Sequence, residues 1–256
     1  MANTENQPRY GASVARGAEA VDAGLRAHMI RVYNYMTGAL GLTGIVAWLS
    51  YQAAGGASIV IGNGEVAGLT AFGQAIFSGP ALLVLFFGTL GLVMFISFRI
   101  NRLQVGTALS LFMIYAAVLG VFLSSVFLVY SGASIARVFF ITAATFGGMS
   151  LWGYTTSRDL TAWGSFLFMG LIGIIIASLV NVFLGSTAIQ FAISVIGVLV
   201  FTGLTAYDTQ KIKEMYAVND DGTVAGRKAV MGALSLYLDF INLFLMLLRL
   251  FGSNRN

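Results

Sequence analysis

Residues 164–184 read GSFLFMGLIGIIIASLVNVFL, a run without a single acid or base. A spanning helix needs about 20 mostly apolar residues, and this stretch supplies them. A membrane β-barrel would instead show ~10-residue segments of alternating polarity, and this block does not alternate. Comparable runs lie on either side, at 34–54, 80–98, 105–130, 135–154, 187–207 and 229–250. Together they predict an all-α polytopic membrane protein with seven transmembrane helices. The run at 105–130 is long enough to tilt or to extend past the lipid.

Composition agrees. The 256 residues are 58% apolar and 9% charged, against roughly 45–50% and about 25% in a soluble domain. Mean hydropathy is +0.86. Such a chain is not a soluble enzyme, a disordered protein or a nucleic-acid binder. It has no cysteine and one histidine, His28. Thiol chemistry and a histidine-rich metal site are therefore excluded, and no cofactor motif is present. GNGEVAG at 62–68 has neither the Rossmann spacing nor the Walker Lys-Ser/Thr. The glycine-rich loop 55–79 around it reads as an external or interfacial hairpin.

Residues 1–27 differ in being polar, small and mixed in charge, and read as a disordered cytoplasmic tail ahead of a membrane domain at 28–256. They lack the apolar core and cleavage site of a secretory signal. Basic residues set the orientation. Arg9, Arg16, Arg26 and Arg31 precede span 1, Arg99 and Arg102 follow span 2, and Arg158 follows span 4. Lys211, Lys213, Arg227 and Lys228 lie between spans 6 and 7, whereas the opposite loops hold Arg137. The N-terminus is thus expected in the cytoplasm. Seven crossings leave Arg249 and Arg255 on the disfavoured side, unless the last segment enters and returns. Trp48, Trp152 and Trp163 fall toward span ends, as an aromatic belt requires. Glycines recur every third residue at 38, 41 and 44, at 88 and 91, and at 170 and 173, which predicts close helix packing.

Ionisable groups inside spans are costly and mark pathways or proton relays. Asp239 is ten residues from Ala229 and eleven from Leu250. At ~1.5 Å per residue it lies ~15 Å deep, near the midplane of a ~30 Å core. Ser235, Asp239, Asn242 and Met246 share one helical face, so the last helix should be wrapped by the others. A structural reading is a protonated, hydrogen-bonded aspartic acid. Asp208 ends span 6 in AYDTQKIK, and its structural reading is a carboxylate paired with Lys211 or Lys213. Arg99 is a snorkelling anchor on local grounds, and Asp159 beside Arg158 is a solvated loop pair. His28 is interfacial. Asp220, Asp221 and Gly222 form a turn, since they lack the other ligands of a calcium loop.

ALSLYLDFINLFLMLLRLFG at 233–252 resembles the C-terminal signature of the Bax inhibitor-1 family. AYDTQKIK at 206–213 is similar to its Tyr-Asp…Lys pattern, and YTTSRDLTAWGSFLFMGLIGIIIASLVN at 154–181 resembles its bacterial branch. The resemblance covers the chain after residue 25. It implies seven helices with helix 7 central, an inner-membrane location and a pH-sensitive calcium leak rather than an enzyme. It pairs the aspartates of helices 6 and 7, which carries onto Asp208 and Asp239; beside that pair, Tyr207, Ser235 and Asn242 are the supporting polar groups that this sequence offers. It also implies a basic latch from the end of helix 2, here Arg99 or else Arg102. Some members carry an acid within helix 2; residues 80–98 contain none.

Two carboxylates close together in a poor dielectric do not both ionise comfortably, so such a pair titrates as a unit. Calcium takes 6–8 oxygen ligands. Two aspartates supply at most four and leave the rest to water and to Ser235 or Asn242, so they hold the ion weakly, as permeation requires. Protonation removes the charge that attracts the cation and also weakens an Arg99 latch, two opposite effects on flux. Other classes remain open. Some bacterial relatives modulate the membrane protease FtsH, for which residues 1–27 are a natural handle. A proton-coupled carrier needs a solute pocket. An intramembrane aspartyl protease expects Gly-x-Gly-Asp, where this chain has Leu-Tyr-Leu-Asp239.

Overall fold

The computed structural model describes residues 7–62 and 65–255. Helix α1 (Gln7–Ala53) is followed by a 3₁₀ turn at Gly56–Ser58 and a short antiparallel hairpin. The hairpin pairs β1 (Val60–Gly62) with β2 (Glu65–Ala67), Ile61 opposite Val66. Next come α2 (Ala71–Ile76), α3 (Gly79–Arg99), α4 (Val105–Leu123), α5 (Val126–Val129) and α6 (Gly132–Thr155). Helices α7 (Thr161–Leu184), α8 (Thr187–Glu214) and α9 (Gly222–Phe251) complete the chain. Of the tail expected to be disordered, residues 1–6 lie outside the described residues, and residues 7–27 form the leading turns of α1. The FtsH handle overlaps the same stretch.

Local chemistry sets the helix ends. Thr70, Ser78, Ser131, Ser186 and Asp221 are N-caps whose side-chain oxygens accept from backbone N–H groups of the first turn; this satisfies donors that have no intrahelical partner. Gly185 stops α7 at φ +61°, a left-handed conformation that glycine adopts without a Cβ penalty.

Among the described residues, six helices are long and apolar enough to cross a membrane: α3, α4 continued through α5, α6, α7, α8 and α9. The chain is an all-α polytopic membrane protein. The remaining expected span, 34–54, falls in the second half of α1. Thr37, Gly38, Gly41, Thr43 and Gly44 dilute its apolar character. The expected single helix at 105–130 is broken between α4 and α5. There Ser124 donates to the Val121 carbonyl (2.6 Å) and Ser125 to that of Phe122 (2.8 Å). Hydroxyls that compete for backbone carbonyls bend or end helices. Helix α9 starts seven residues before the expected 229, because the Asp221 cap carries it through the charged stretch GTVAGRK.

Glycine spacing misled in one respect. A Cβ at Gly38, Gly41, Gly44, Gly88, Gly91 or Gly173 would meet nothing, so these positions are not close helix contacts, whereas at Gly170 it would lie 3.0 Å from Val200 of α8, as the spacing predicts. Close approach occurs instead at Gly120 against the Thr43 carbonyl, at Gly153 against Ala206 and at Gly164 against the Tyr207 ring.

The core is built around α9. Its apolar window is 72% buried, whereas those of the other five spans are 11–39% buried. Helices α8, α1, α6 and α4 pack around it, and Leu234, Leu236, Tyr237, Leu243 and Leu248 are fully enclosed. This is why one helix could carry a buried acid.

The two ends of the bundle differ. One collects the α3–α4, α6–α7 and α8–α9 connections. Arg227 Nε donates to the Leu103 carbonyl (2.6 Å). Gln210 clamps the α6–α7 loop by accepting from Leu160 N and donating to the Arg158 carbonyl, both at 2.8 Å. Lys228 reaches the Met215 carbonyl and Asp220. At the other end the C-terminal tail is pinned: Ser131 N donates to the Ser253 carbonyl (3.1 Å), and Arg255 bonds Tyr51 Oη and the Ile59 carbonyl. Helix α9 therefore runs unbroken from one end to the other, ~45 Å for 30 residues. An entering-and-returning last segment is excluded. Arg255 fastens the tail to α1 at the end opposite these three connections.

Candidate functional site

Helices α8 and α9 form an antiparallel pair whose register is fixed by close contacts. The Cβ position of Gly232 lies 3.1 Å from Ile212, and that of Gly197 lies 2.8 Å from Met246. This register puts Ser235 level with Asp208 and Asp239 one turn farther from the α8–α9 connection. Side chains lean toward the N-terminus of their own helix. On α8 that direction points toward Asp239, and on α9 it points toward Asp208. The two carboxyl groups accordingly meet within hydrogen-bonding reach of each other.

Asp239 is buried, 5% exposed, and Asp208 is half-buried. No donor reaches Asp239 Oδ2. Its neighbour Asp208 is another acceptor, and two acceptors face to face need a proton or a cation between them. Lys211 lies near enough for its charge to act on Asp208. It makes no ion pair with it, and sits over the Tyr207 ring at 5.8 Å. Lys213 donates to the Tyr154 carbonyl (2.9 Å). Among the described residues the only ion pair is Lys228–Asp220, 2.6 Å. The simple helix-end pairing of Asp208 with a lysine is therefore not what the fold uses.

The other expected residues divide. Ser235 and Asn242 lie half-buried on the α9 face that carries Asp239, and Asn242 Nδ2 donates to its own helix at the Leu238 carbonyl (2.8 Å). Tyr207 faces away, packed over Gly164 of α7. Arg99 and Arg102 are exposed at the connection-rich end and lie outside ion-pair distance of either aspartate. Asp159 is held below the usual carboxylate range by the Thr161 side chain and by the Thr161 backbone N–H, which donates to it at 2.8 Å, and it forms no ion pair with Arg158. Among the described residues no group of three or more His, Asp or Glu side chains could hold a metal ion. The carboxylates open to a divalent cation there are those of Asp208 and Asp239.

Two polar networks were missed. The Tyr237 and Thr43 hydroxyls are hydrogen-bonded (2.6 Å), and Thr43 Oγ1 lies 2.9 Å from the carbonyls of Ala39 and Ala116, to either of which it can donate. This ties α9 to α1 and α4, two residues from Asp239. Tyr33, Ser150 and Thr209 form a hydroxyl chain, at 2.7 and 2.9 Å, across α1, α6 and α8. Neither has a local signal: Thr43 and Tyr237 are 194 positions apart.

The chain is similar to known proteins over nearly its whole length. The family described as "Inhibitor of apoptosis-promoting Bax1" matches residues 25–256. The chain is 48% identical over 236 residues to "Inner membrane protein YbhL" of Escherichia coli K12, covering 91% of this chain and 94% of that one. It is 46% identical over 235 residues to a protein of Rickettsia prowazekii, covering 92% and 93%. A Caulobacter vibrioides protein is 44% identical over 243 residues, 94% of each chain. The match runs through α9 and its buried aspartate to the end of the chain: the protein belongs to the Bax inhibitor-1 family.

Proposed function

We propose that the protein is a pH-sensitive calcium leak channel of the bacterial inner membrane, with the Asp208–Asp239 pair as its proton sensor. The observation that carries this is the acceptor-to-acceptor contact on the most enclosed helix. With a proton between them the carboxyls hold each other and α8 stays against α9. Without it they repel and present negative charge to a cation, whose few ligands then let it leave easily. Calcium is the permeant ion here and not a resident cofactor.

The second half of α1 serves as the seventh span. It is supported by Val32, Met36, Ala39 and Ala47, which are buried on the face toward the bundle. The connection-rich end faces the cytoplasm, because Arg99, Arg102, Arg158, Arg227 and Lys228 gather there. Arg99 and Arg102 lie at that end, outside ion-pair distance of the aspartates, so a latch forms only after α3 moves inward.

The test is calcium entry into liposomes with an enclosed dye, followed over roughly pH 5.5 to 8.5 because a coupled pair titrates as one unit. Wild type gives a pH-dependent flux. Asp208→Asn and Asp239→Asn, which cannot share a proton in the same way, lose or displace its midpoint. Folded protein without flux at every pH overturns the reading.

A further inference from the structure

Helix α1 packs on α4 and α9, and α6 packs on α8 and α9. Between α1 and α6 this leaves a laterally open groove of about 510 Å³, within the range of roughly 300–1,000 Å³ for small-molecule sites. Its walls are apolar, with Met29, Met36 and Phe146 at the base. Tyr33 and Ser150 also line it, but their hydroxyls are bonded to each other at 2.7 Å. The walls therefore ask a ligand for hydrocarbon and not for hydrogen bonds.

Its mouth is different. Arg26 lines the groove at the connection-rich end, opposite Tyr154, whose carbonyl is held by Lys213. From Tyr154 to Phe146 the groove follows α6 for ~12 Å at ~1.5 Å per residue, inside the expected span 135–154 and most of the ~15 Å that one leaflet contributes to a ~30 Å hydrocarbon core. A basic group at the rim above one leaflet's depth of apolar wall is complementary to an anionic lipid.

We propose that the α1–α6 groove binds an acyl chain of an anionic phospholipid from the leaflet at the connection-rich end, with the phosphate at Arg26. This rests on the reading that α6 spans the membrane with its Tyr154 end at the rim, and is independent of calcium flux. Occupation would hold α1 and α6 at their present separation over the floor formed by α9.

The full chain in mild detergent is titrated with phosphatidylglycerol, and separately with phosphatidylcholine of the same chains, and bound lipid is counted by native mass spectrometry. Wild type is expected to favour phosphatidylglycerol by about fivefold, the preference that one basic group near a membrane surface confers. Arg26→Gln should bind both lipids equally. Gly147 lines the groove and a Cβ there meets nothing, so Gly147→Phe fills the groove and should lose both lipids. Retention of the headgroup preference in Arg26→Gln, or undiminished binding in Gly147→Phe, overturns the proposal. Arg26 is exposed, so its variant decides the matter even if Gly147→Phe does not fold. Liposome flux is read separately, so a failed leak and a failed lipid site are distinguishable.

Discussion

At the scale of single residues, burial gives ordinary side chains unusual demands. His28 is buried beside the Tyr216 ring, 5.8 Å between centroids, and no partner reaches its Nε2. Burial, and then the charges of Arg31 and Lys228, hold its pKa below the usual imidazole range, against the pull of Asp220. An unfolded imidazole takes up a proton below about pH 6.5, while the folded one resists. Its contribution to stability is thus intact above that pH and is lost as pH falls toward the folded value. His28→Gln should flatten the fall in melting temperature between neutral and mildly acidic buffer. An unchanged acid sensitivity would remove His28 as its source. A glutamine shift here and an asparagine shift at Asp208 or Asp239 read different quantities, stability in the first case and flux in the second.

At the scale of elements, helix contacts depend on which small residues face a neighbour. Gly153 lies against the backbone of Ala206, so Gly153→Ala has to push α6 from α8. Overpacking of this kind costs about 1–3 kcal/mol. Gly41→Ala meets open space and should be neutral or stabilise by up to about 1 kcal/mol, through the helix preference of alanine. Thermal unfolding in one detergent compares the two, and equal losses would refute this assignment of contacts. The sequence offered both glycines on equal terms. Every-third-residue spacing marked positions 38, 41 and 44, whereas the working contacts at 153 and 164 belong to no repeat. Periodicity reports which residues share a face, but not whether another helix covers that face.

For the whole molecule, the bundle has a basic, connection-rich end and a tail-pinned end. The chain has no cysteine, so single cysteines report sidedness cleanly. Asn254→Cys and Gln104→Cys replace exposed residues at opposite ends. In intact cells a membrane-impermeant maleimide should label the first and spare the second until the membrane is opened. The reverse pattern would invert the orientation and place the α1–α6 groove mouth in the other leaflet.

The sequence by itself determined the solvent of this protein, its helical class, the asymmetry of its basic residues and the two acids worth following. These follow from composition and from spacing within one helix, where polarity and period act locally. It also carried the family, through a motif contiguous on α9. The pairing of Asp208 with Asp239 was implied by the resemblance and takes its geometry from the α8–α9 register; only the tertiary structure decided that Tyr207 turns away and that Arg99 and Arg102 stay outside. The same holds for the bond between Tyr237 and Thr43 and for the anchoring of the tail by Arg255. Each of these depends on the register or separation of helices distant in the chain. Contacts made far from either partner's sequence neighbourhood fix that geometry.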